Sequence, residues 1–358
     1  MPESVRYILG LYHILPHRIK IAGGTAGHTW RVESDSGTYF VRVRGLRTAS
    51  IPRAHFDHGL RQHLHDKGFC AFPPIENTQG DRFVIHEGKT YEVYPWINGQ
   101  DYGHDLIEKV RTPVAQTLAR FHDIAATYEA DCERLVPQFA HFPVPIEFRP
   151  RLDDPAAFLD VIDWMLNEHG DAHTLVAMQR TREYVAWLHD AYSHLYAQLP
   201  RAVIHGDYNC FNLLFEPDGG VAGVFDFDWA WRDVRLRDVA ELVFFFGTAR
   251  EAMLDNRSIW SLTACPRFEL KSMTKIVKDY HDAAPLTAEE QQALPLAILA
   301  RWVSCRTEGL IKVEQDRRSE FLLHDFDEPF RWYDEQADSF VQALADVLGT
   351  RDPRSMRP

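Results

Sequence analysis

The sequence predicts an α+β chain in two lobes, a small antiparallel-sheet lobe followed by a larger, mainly helical one. Three observations carry that expectation. The chain has 358 residues, more than one domain usually holds. Its first hundred residues read as short extended runs broken by turns, with one helical stretch. Beyond them apolar residues recur at helical spacing. The expected boundaries are 1–94 for the sheet lobe, 95–99 for a hinge and 100–358 for the helical lobe.

The elements follow in order. Arg18 to Ala22 leads into the turn Gly23-Gly24-Thr25-Ala26-Gly27, and Thr29 to Glu33 resumes a strand. Ser34 to Gly37 is a turn, followed by a strand from Thr38 to Arg44. Between Arg53 and Lys67, Phe56, Leu60 and Leu64 stand four apart, a helical spacing, and Gly68 occupies the C-cap position. Strands are expected at Arg82 to His86 and Thr90 to Tyr94, and Pro95-Trp96-Ile97-Asn98-Gly99 breaks the pattern. Val110 to Ala125 then reads as a helix with Val114, Leu118 and Phe121 on one face. A Pro-rich irregular stretch (136–150) precedes more polar helices over 155–200. A strand from Ala202 to His205 opens an acid-bearing loop. Asn212 to Phe215 and Val221 to Phe227 pair across Pro217-Asp218-Gly219-Gly220. Helices are expected at Asp238 to Phe246, at Phe268 to Asp282, after the capping-box sequence Thr287-Ala288-Glu289-Glu290, and from about Phe330 to Leu348.

Composition excludes several classes. Apolar content of 45% and charged content of 25% are those of an ordinary soluble globular protein. A net charge of -13 argues against nucleic acid as the main partner. Five scattered cysteines without a C-x-x-C pair give neither a disulfide framework nor a zinc site and suit a reducing cytoplasm. The 18 histidines show no ligand spacing for zinc. No signal peptide is expected at the start, and no membrane span anywhere: the most apolar stretch, Val239 to Phe246, is short and interrupted by Glu241. The last residues read as a frayed tail.

The most informative segment is His205-Gly206-Asp207-Tyr208-Asn209-Cys210-Phe211-Asn212, with Asp226-Phe227-Asp228 beyond the hairpin. A phosphoryl group in flight carries spread negative charge, so its transfer depends on positioning and electrostatics. That chemistry needs a carboxylate near the nucleophile's proton and oxygen ligands for magnesium, all on rigid elements. Asp207 fits the first need. Asn212, and Asp226 fourteen positions later (226 minus 212), fit the second. A plain polar loop between strands would not need this set.

The segment VIHGDYNCFNLLF…GVFDFDWAWRDVRLRDVA resembles the aminoglycoside phosphotransferase and choline kinase superfamily, the small-molecule branch of the protein-kinase-like fold, which includes homoserine kinases. The resemblance implies that fold, ATP and Mg2+ as cofactors, Asp207 as catalytic base, and Asn212 and Asp226 as metal ligands. It makes Asp238 and His122 structural and leaves a metal role for Asp228 open. Gly206 stands where protein kinases carry the arginine of H-R-D, and no A-P-E follows, so no phosphorylated activation loop is expected.

In the first lobe the resemblance is weaker. It places Gly23, Gly24 and Thr25 in a loop whose backbone N–H groups approach phosphates. Strand alternation puts Arg42 and Arg44 on one face, with Val41 and Val43 on the other. The phosphate-holding residue aligns with Arg42, Arg44 remaining its competitor, and the helix acid paired with it falls on Asp57. Pro95 and Ile97 fall where the family's backbone meets adenine. Trp229 and Trp231 read as core aromatics rather than a cation cage, while Arg301, Trp302 and Arg306 lie where relatives line the acceptor pocket.

The implied reaction moves the γ-phosphate of ATP to a hydroxyl of a small molecule, whether an amino alcohol, a sugar or an aminoglycoside. The alternatives are a catalytically silent nucleotide-binding protein of the same fold and a protein kinase. Neither acceptor identity nor oligomeric state follows from the sequence.

Overall fold

The computed structural model describes residues 3–22, 29–45, 48–130, 159, 162–163, 172–255, 258–310 and 312–349. Helix α1 (Glu3–Leu11) opens the chain and leads into strands β1 (Pro16–Ile21), β2 (Thr29–Ser34) and β3 (Gly37–Val43). Helix α2 (Ile51–Asp66) precedes β4 (Val84–His86) and β5 (Lys89–Pro95), and the five strands form one antiparallel sheet in the order β1-β2-β3-β5-β4. Alternation in β3 works as the sequence predicts. Val41 is buried in an apolar cluster with Trp30, Val32 and Val93, while Arg42 faces the other way.

Helix α1 is a departure from the expected single helix of this region. Its nine residues bury Val5, Ile8 and Leu9 in that same cluster, so tertiary packing stabilises a helix too short to persist alone.

The chain then turns helical. Helices α3 (Ile107–Ala125) and α4 (Ala172–Tyr196) precede β6 (Arg201–Ile204), the hairpin β7 (Leu213–Phe215) and β8 (Val221–Val224), and β9 (Trp231–Val234). The pairing of β9 with β6 was not expected, because Trp231-Arg232-Asp233-Val234 reads as a charged loop. Helices α5 (Leu236–Leu242), α6 (Leu270–His281), α7 (Ala288–Leu310), α8 (Arg318–Leu323) and α9 (Glu328–Leu348) complete the order, with α5 running on as a π-helical turn through Gly247. The expected capping box is formed at α7. The Thr287 N–H donates to Glu290 Oε2 at 2.8 Å and the Glu290 N–H donates to Thr287 Oγ1 at 3.2 Å. The irregular stretch at 136–150 lies outside the described residues, as does most of 155–171.

Helix α2 ties the two parts of the chain together. Its apolar stripe of Phe56, Leu60 and Leu64 is buried with Val114 and Leu118 of α3 rather than with the sheet's apolar cluster. Its polar face, carrying Asp57, His58 and Arg61, is buried as well. The backbone crosses as well, the Val224 N–H donating to the Cys70 carbonyl at 2.8 Å, and just beyond 95–99 Gln100 and Phe215 exchange hydrogen bonds of 2.8 and 2.9 Å.

Candidate active site

The loop after β6 is shaped by one residue without a side chain. Gly206 has φ +78°, and a Cβ there would lie 2.4 Å from the Trp229 carbonyl oxygen. Only glycine fits both the left-handed backbone and that contact, which accounts for the slot where protein kinases carry arginine.

Asp238 at the start of α5 holds the loop from below. It accepts from the backbone N–H of His205 (2.7 Å) and of Gly206 (2.9 Å) and faces His122 Nε2 at 3.0 Å. Burial would raise its carboxyl, but the His122 hydrogen bond and charge, with those of the loop, hold it below the usual range. His122 in turn meets the Tyr280 hydroxyl at 2.7 Å. Asp238 and His122 thus tie the loop to α5 and α3. His205 is fully buried against the Phe225 carbonyl at 2.9 Å, and burial pushes its imidazole below the ordinary 6.5.

These anchors present the three oxygen-bearing side chains. Asn212 Nδ2 donates to Asp207 Oδ2 at 2.8 Å and to the Asp207 carbonyl at 2.8 Å, while Asn209 Nδ2 donates to Asp207 Oδ1 at 2.7 Å. With its amide nitrogen turned to Asp207, Asn212 has an amide oxygen that could hold a cation. The Phe225 N–H donates to the Asn212 carbonyl at 2.9 Å, which fastens the loop beside Asp226. Asp226 sits at φ 58°, ψ 60°, a left-handed conformation that costs a non-glycine residue about 1–3 kcal/mol and is typical of functional sites. Partial burial and then the Asp228 charge push its carboxyl up to about 7, against the pull of Arg42 and with Asp207 adding to the rise. One amide oxygen and an under-compensated carboxylate form a hard-oxygen set that fits Mg2+.

Behind Asp226 lies a buried ionic cluster. Arg42 donates to Glu92 Oε2 (2.6 Å) and Asp228 Oδ1 (2.7 Å) and reaches Asp226 Oδ1 at 3.5 Å. Arg44 donates to Glu92 Oε1 (2.5 Å), Asp57 Oδ2 (2.6 Å) and Asp228 Oδ1 (2.8 Å). Arg61 Nε donates to Asp57 Oδ1 at 2.5 Å. Burial opposes ionisation of Glu92, but Arg42 and Arg44 hold it well below the usual carboxylate range. Asp57 forms ion pairs with both arginines, at 3.6 Å from Arg42 and at the closer 2.6 Å from Arg44. The shorter aspartate arm sits nearer the fully buried Arg44, and Glu92 accepts from both arginines, one on each oxygen. Both arginines thus enter one cluster, but only Arg42, 13% exposed, reaches Asp226.

Asp228 has its oxygens taken. Oδ1 accepts from Arg42 and Arg44, and Oδ2 accepts from Thr48 Oγ1 at 2.8 Å. Asp57, His58 and Glu92 also lie close enough to share a cation, yet arginines engage both acids at hydrogen-bond distance. Arg301 on α7 stands 3.7 Å from Asp207 Oδ1 and 3.1 Å from Glu241 Oε1. Trp302 and Arg306 are buried instead. Trp302 Nε1 donates to the Phe326 carbonyl at 3.0 Å, and Arg306 donates to carbonyls of Leu262, Thr263 and His324. Trp229 and Trp231 are half-buried.

Gly23, Gly24 and Thr25 lie outside the described residues. Pro95 ends β5 opposite Tyr39, Trp96 N–H donates to the Thr38 carbonyl at 3.0 Å, and Ile97 follows without regular structure. Sequence reasoning missed Glu92, Asn209, Arg53 and Glu241. Glu92 carried a signal: it interrupts the buried run Tyr91–Val93 directly opposite Arg42 in the sheet register. Arg53, which donates to the Asp228 and Ala230 carbonyls from α2, carried none.

The sequence model of the phosphotransferase enzyme family matches residues 17–269. The chain is 25% identical over 278 residues to a homoserine kinase of Phenylobacterium zucineum (strain HLK1), covering 77% of this chain and 74% of that protein. A homoserine kinase of Methylobacillus glycogenes is 25% identical over 275 residues, covering 77% and 73%. Among solved structures, an amicoumacin kinase in complex with AMP-PNP and Ca2+ superposes with a TM-score of 0.62 at 13% identity, covering 100% of this chain and 98% of that one. A microcompartment-associated aminopropanol kinase gives 0.64 at 13% identity, covering 93% and 98%. These structural likenesses show the fold, a small antiparallel sheet followed by a helical part.

Proposed function

Because this chain belongs to the phosphotransferase enzyme family and is a small-molecule kinase with a hydroxyl acceptor, we propose that Asp207 is its catalytic base. The observation that carries this is the pair of amides on Asp207. Asn209 and Asn212 each donate to one of its oxygens, which fixes the carboxylate's rotation without neutralising it. Asp207 orients the acceptor hydroxyl and takes its proton as the new O–P bond forms and the bond between the γ-phosphorus and the bridging oxygen breaks, releasing ADP.

Arg42 holds the nucleotide phosphates from the β3 side, with Glu92 as its fixed counter-charge. Asn212 and Asp226 hold Mg2+, which when bound neutralises charge on the phosphates. Pro95 and Ile97 border the adenine, Gly23, Gly24 and Thr25 cover the phosphates, and Asp57 steadies the arginines. Residues 1–94, 95–99 and 100–358 work as lobe, hinge and lobe.

The acceptor we favour is an amino alcohol of the homoserine type. The curated relatives support it, and so does Arg301. A guanidinium beside the base suits an acceptor bearing a carboxylate better than a polycation. Among the described residues no helix is long and apolar enough to cross a membrane, and the cytoplasm is the proposed location.

The test is ADP release over a panel of homoserine, aminopropanol, choline, sugars and aminoglycosides, with wild type and Asp207→Asn. Homoserine should turn over in preference to the acceptors without a carboxylate, with kcat reduced about 10²–10⁴-fold in the variant. Undiminished turnover in the variant would assign the base elsewhere.

A further inference from the structure

Glu241 touches both the base-bearing loop and the arginine that stands beside the base. It lies one helical turn after Asp238 on α5 and is 3% exposed. Its Oε2 accepts from the Tyr208 backbone N–H, one residue after Asp207, at 2.5 Å. Its Oε1 forms an ion pair with Arg301 Nε at 3.1 Å. Asp238 already ties the loop to α5 through two backbone N–H groups, so anchoring alone does not call for a second buried acid here.

An acid in this place is unfavourable in itself. Burial pushes the Glu241 carboxyl up to about 8. Arg301 from α7 and Arg237 on its own helix pull against that rise, and the Asp207 and Asp238 charges add to it. An apolar side chain would fill the position at lower cost unless a neighbouring cation needs the charge. That neighbour is Arg301, itself only 9% exposed.

Arg301 is held from three sides. Nε faces Glu241, Nη1 donates to Ser304 Oγ at 3.2 Å, and the guanidinium carbon lies 5.6 Å from the centroid of the Phe245 ring. A guanidinium is a rigid planar fork, so fixing one edge and one face also fixes where Nη2 stands. It stands 3.7 Å from Asp207 Oδ1, beyond hydrogen-bond range. Both Asp207 oxygens meanwhile accept from Asn209 and Asn212. The arginine is thus set next to the base without closing on it.

We propose, on the reading of Arg301 as partner of the acceptor's carboxylate, that Glu241 is a positioning residue that sets the acceptor preference. By holding the Nε edge it turns Arg301 toward a carboxylate on the acceptor and away from the carboxylate of the base. An alcohol bearing a carboxylate gains from that orientation, and an alcohol without one does not. When the Glu241 charge is removed, Asp207 is the acid still ion-paired with Arg301 among the described residues. The guanidinium then drifts to the base, and the preference for a carboxylate-bearing acceptor is lost.

Steady-state kinetics of the full chain with homoserine and aminopropanol test this, at about pH 9, where the Glu241 carboxyl is ionised. The readout is the ratio of the two kcat/KM values on one preparation, which does not depend on how much of a variant folds. Wild type should favour homoserine. Glu241→Gln should lower the ratio about tenfold or more by raising the KM for homoserine, with the KM for aminopropanol within about twofold of wild type. A loss of kcat from Arg301 closing on Asp207 falls on both acceptors and cancels. Arg301→Gln should lower the ratio as far. Glu241→Asp keeps the charge but sets it one methylene back, so its ratio should lie between wild type and Glu241→Gln, and it decides the matter if the glutamine variant does not fold. An unchanged ratio in the Glu241 variants, with that of Arg301→Gln lowered, overturns the positioning role and leaves the acceptor reading standing. An unchanged ratio in Arg301→Gln, or no preference in wild type, overturns both.

Discussion

At the scale of single residues, Arg42 and Arg44 differ in what surrounds them, and the difference separates their roles. Arg44 is sealed among Glu92, Asp57 and Asp228, all of them buried. Removing it strands buried carboxylates, so Arg44→Ala should cost about 3–5 kcal/mol of stability by urea denaturation. Arg42 reaches the rim at Asp226, so Arg42→Ala should mainly raise the KM for ATP, at smaller cost to the fold. An unchanged KM would return the phosphate role to Arg44. The sequence placed both arginines on one strand face, because alternation is a local property. It could not say which was sealed, since that depends on Glu92 arriving from β5 and Asp57 from α2. Gly206→Ala belongs to this scale too. With its Cβ 2.4 Å from the Trp229 carbonyl and φ positive, it should lower the unfolding midpoint and kcat together.

At the scale of elements, the catalytic loop is held by α5 and α3 through buried titratable groups, and that makes its stability depend on pH. The His205 imidazole is pushed below 6.5 by burial, so the folded state disfavours its charged form. Unfolded chain then binds more protons than folded chain below 6.5. The contribution is complete above that value and is lost as pH falls through the depressed folded value. The His205 share of stability, read as the difference between the wild-type and His205→Gln curves, should decline from pH 6.5 downward. Two superimposable curves would remove His205 from the account. The loop and hairpin were readable in the sequence because their turn residues, acids and strand runs are contiguous. Helix α1 and strand β9 were not, because a nine-residue helix and a charged four-residue strand are stabilised only by distant partners.

At the scale of the whole molecule, the two parts meet along α2, at the Cys70–Val224 backbone bond and through Arg42 and Arg44 at Asp228, and the Gln100–Phe215 bridge fastens the chain where the proposed hinge enters the second lobe. Gly99 lies close enough to β7 that a Cβ would approach Leu214 Cβ at 2.8 Å. Gly99→Val should therefore cost about 1–3 kcal/mol by overpacking and raise the KM for ATP by moving Pro95 and Ile97. An ATP titration indistinguishable from wild type would separate the hinge from nucleotide binding. Fold class and site chemistry were readable at this scale from one motif and a change of periodicity. Acceptor identity was not, because the helices that border Asp207 carry residues such as Arg301 whose neighbours come from far along the chain. Asp207, Asn212 and Asp226 are proposed to converge on a terminal phosphate. A crystal structure with AMP-PNP, Mg2+ and an accepted alcohol should place Asn212 Oδ1 and an Asp226 oxygen about 2.0–2.1 Å from the metal. The acceptor hydroxyl should lie about 2.6–3.2 Å from Asp207. A metal bound without Asn212 and Asp226, or a hydroxyl facing another side chain, would contradict it.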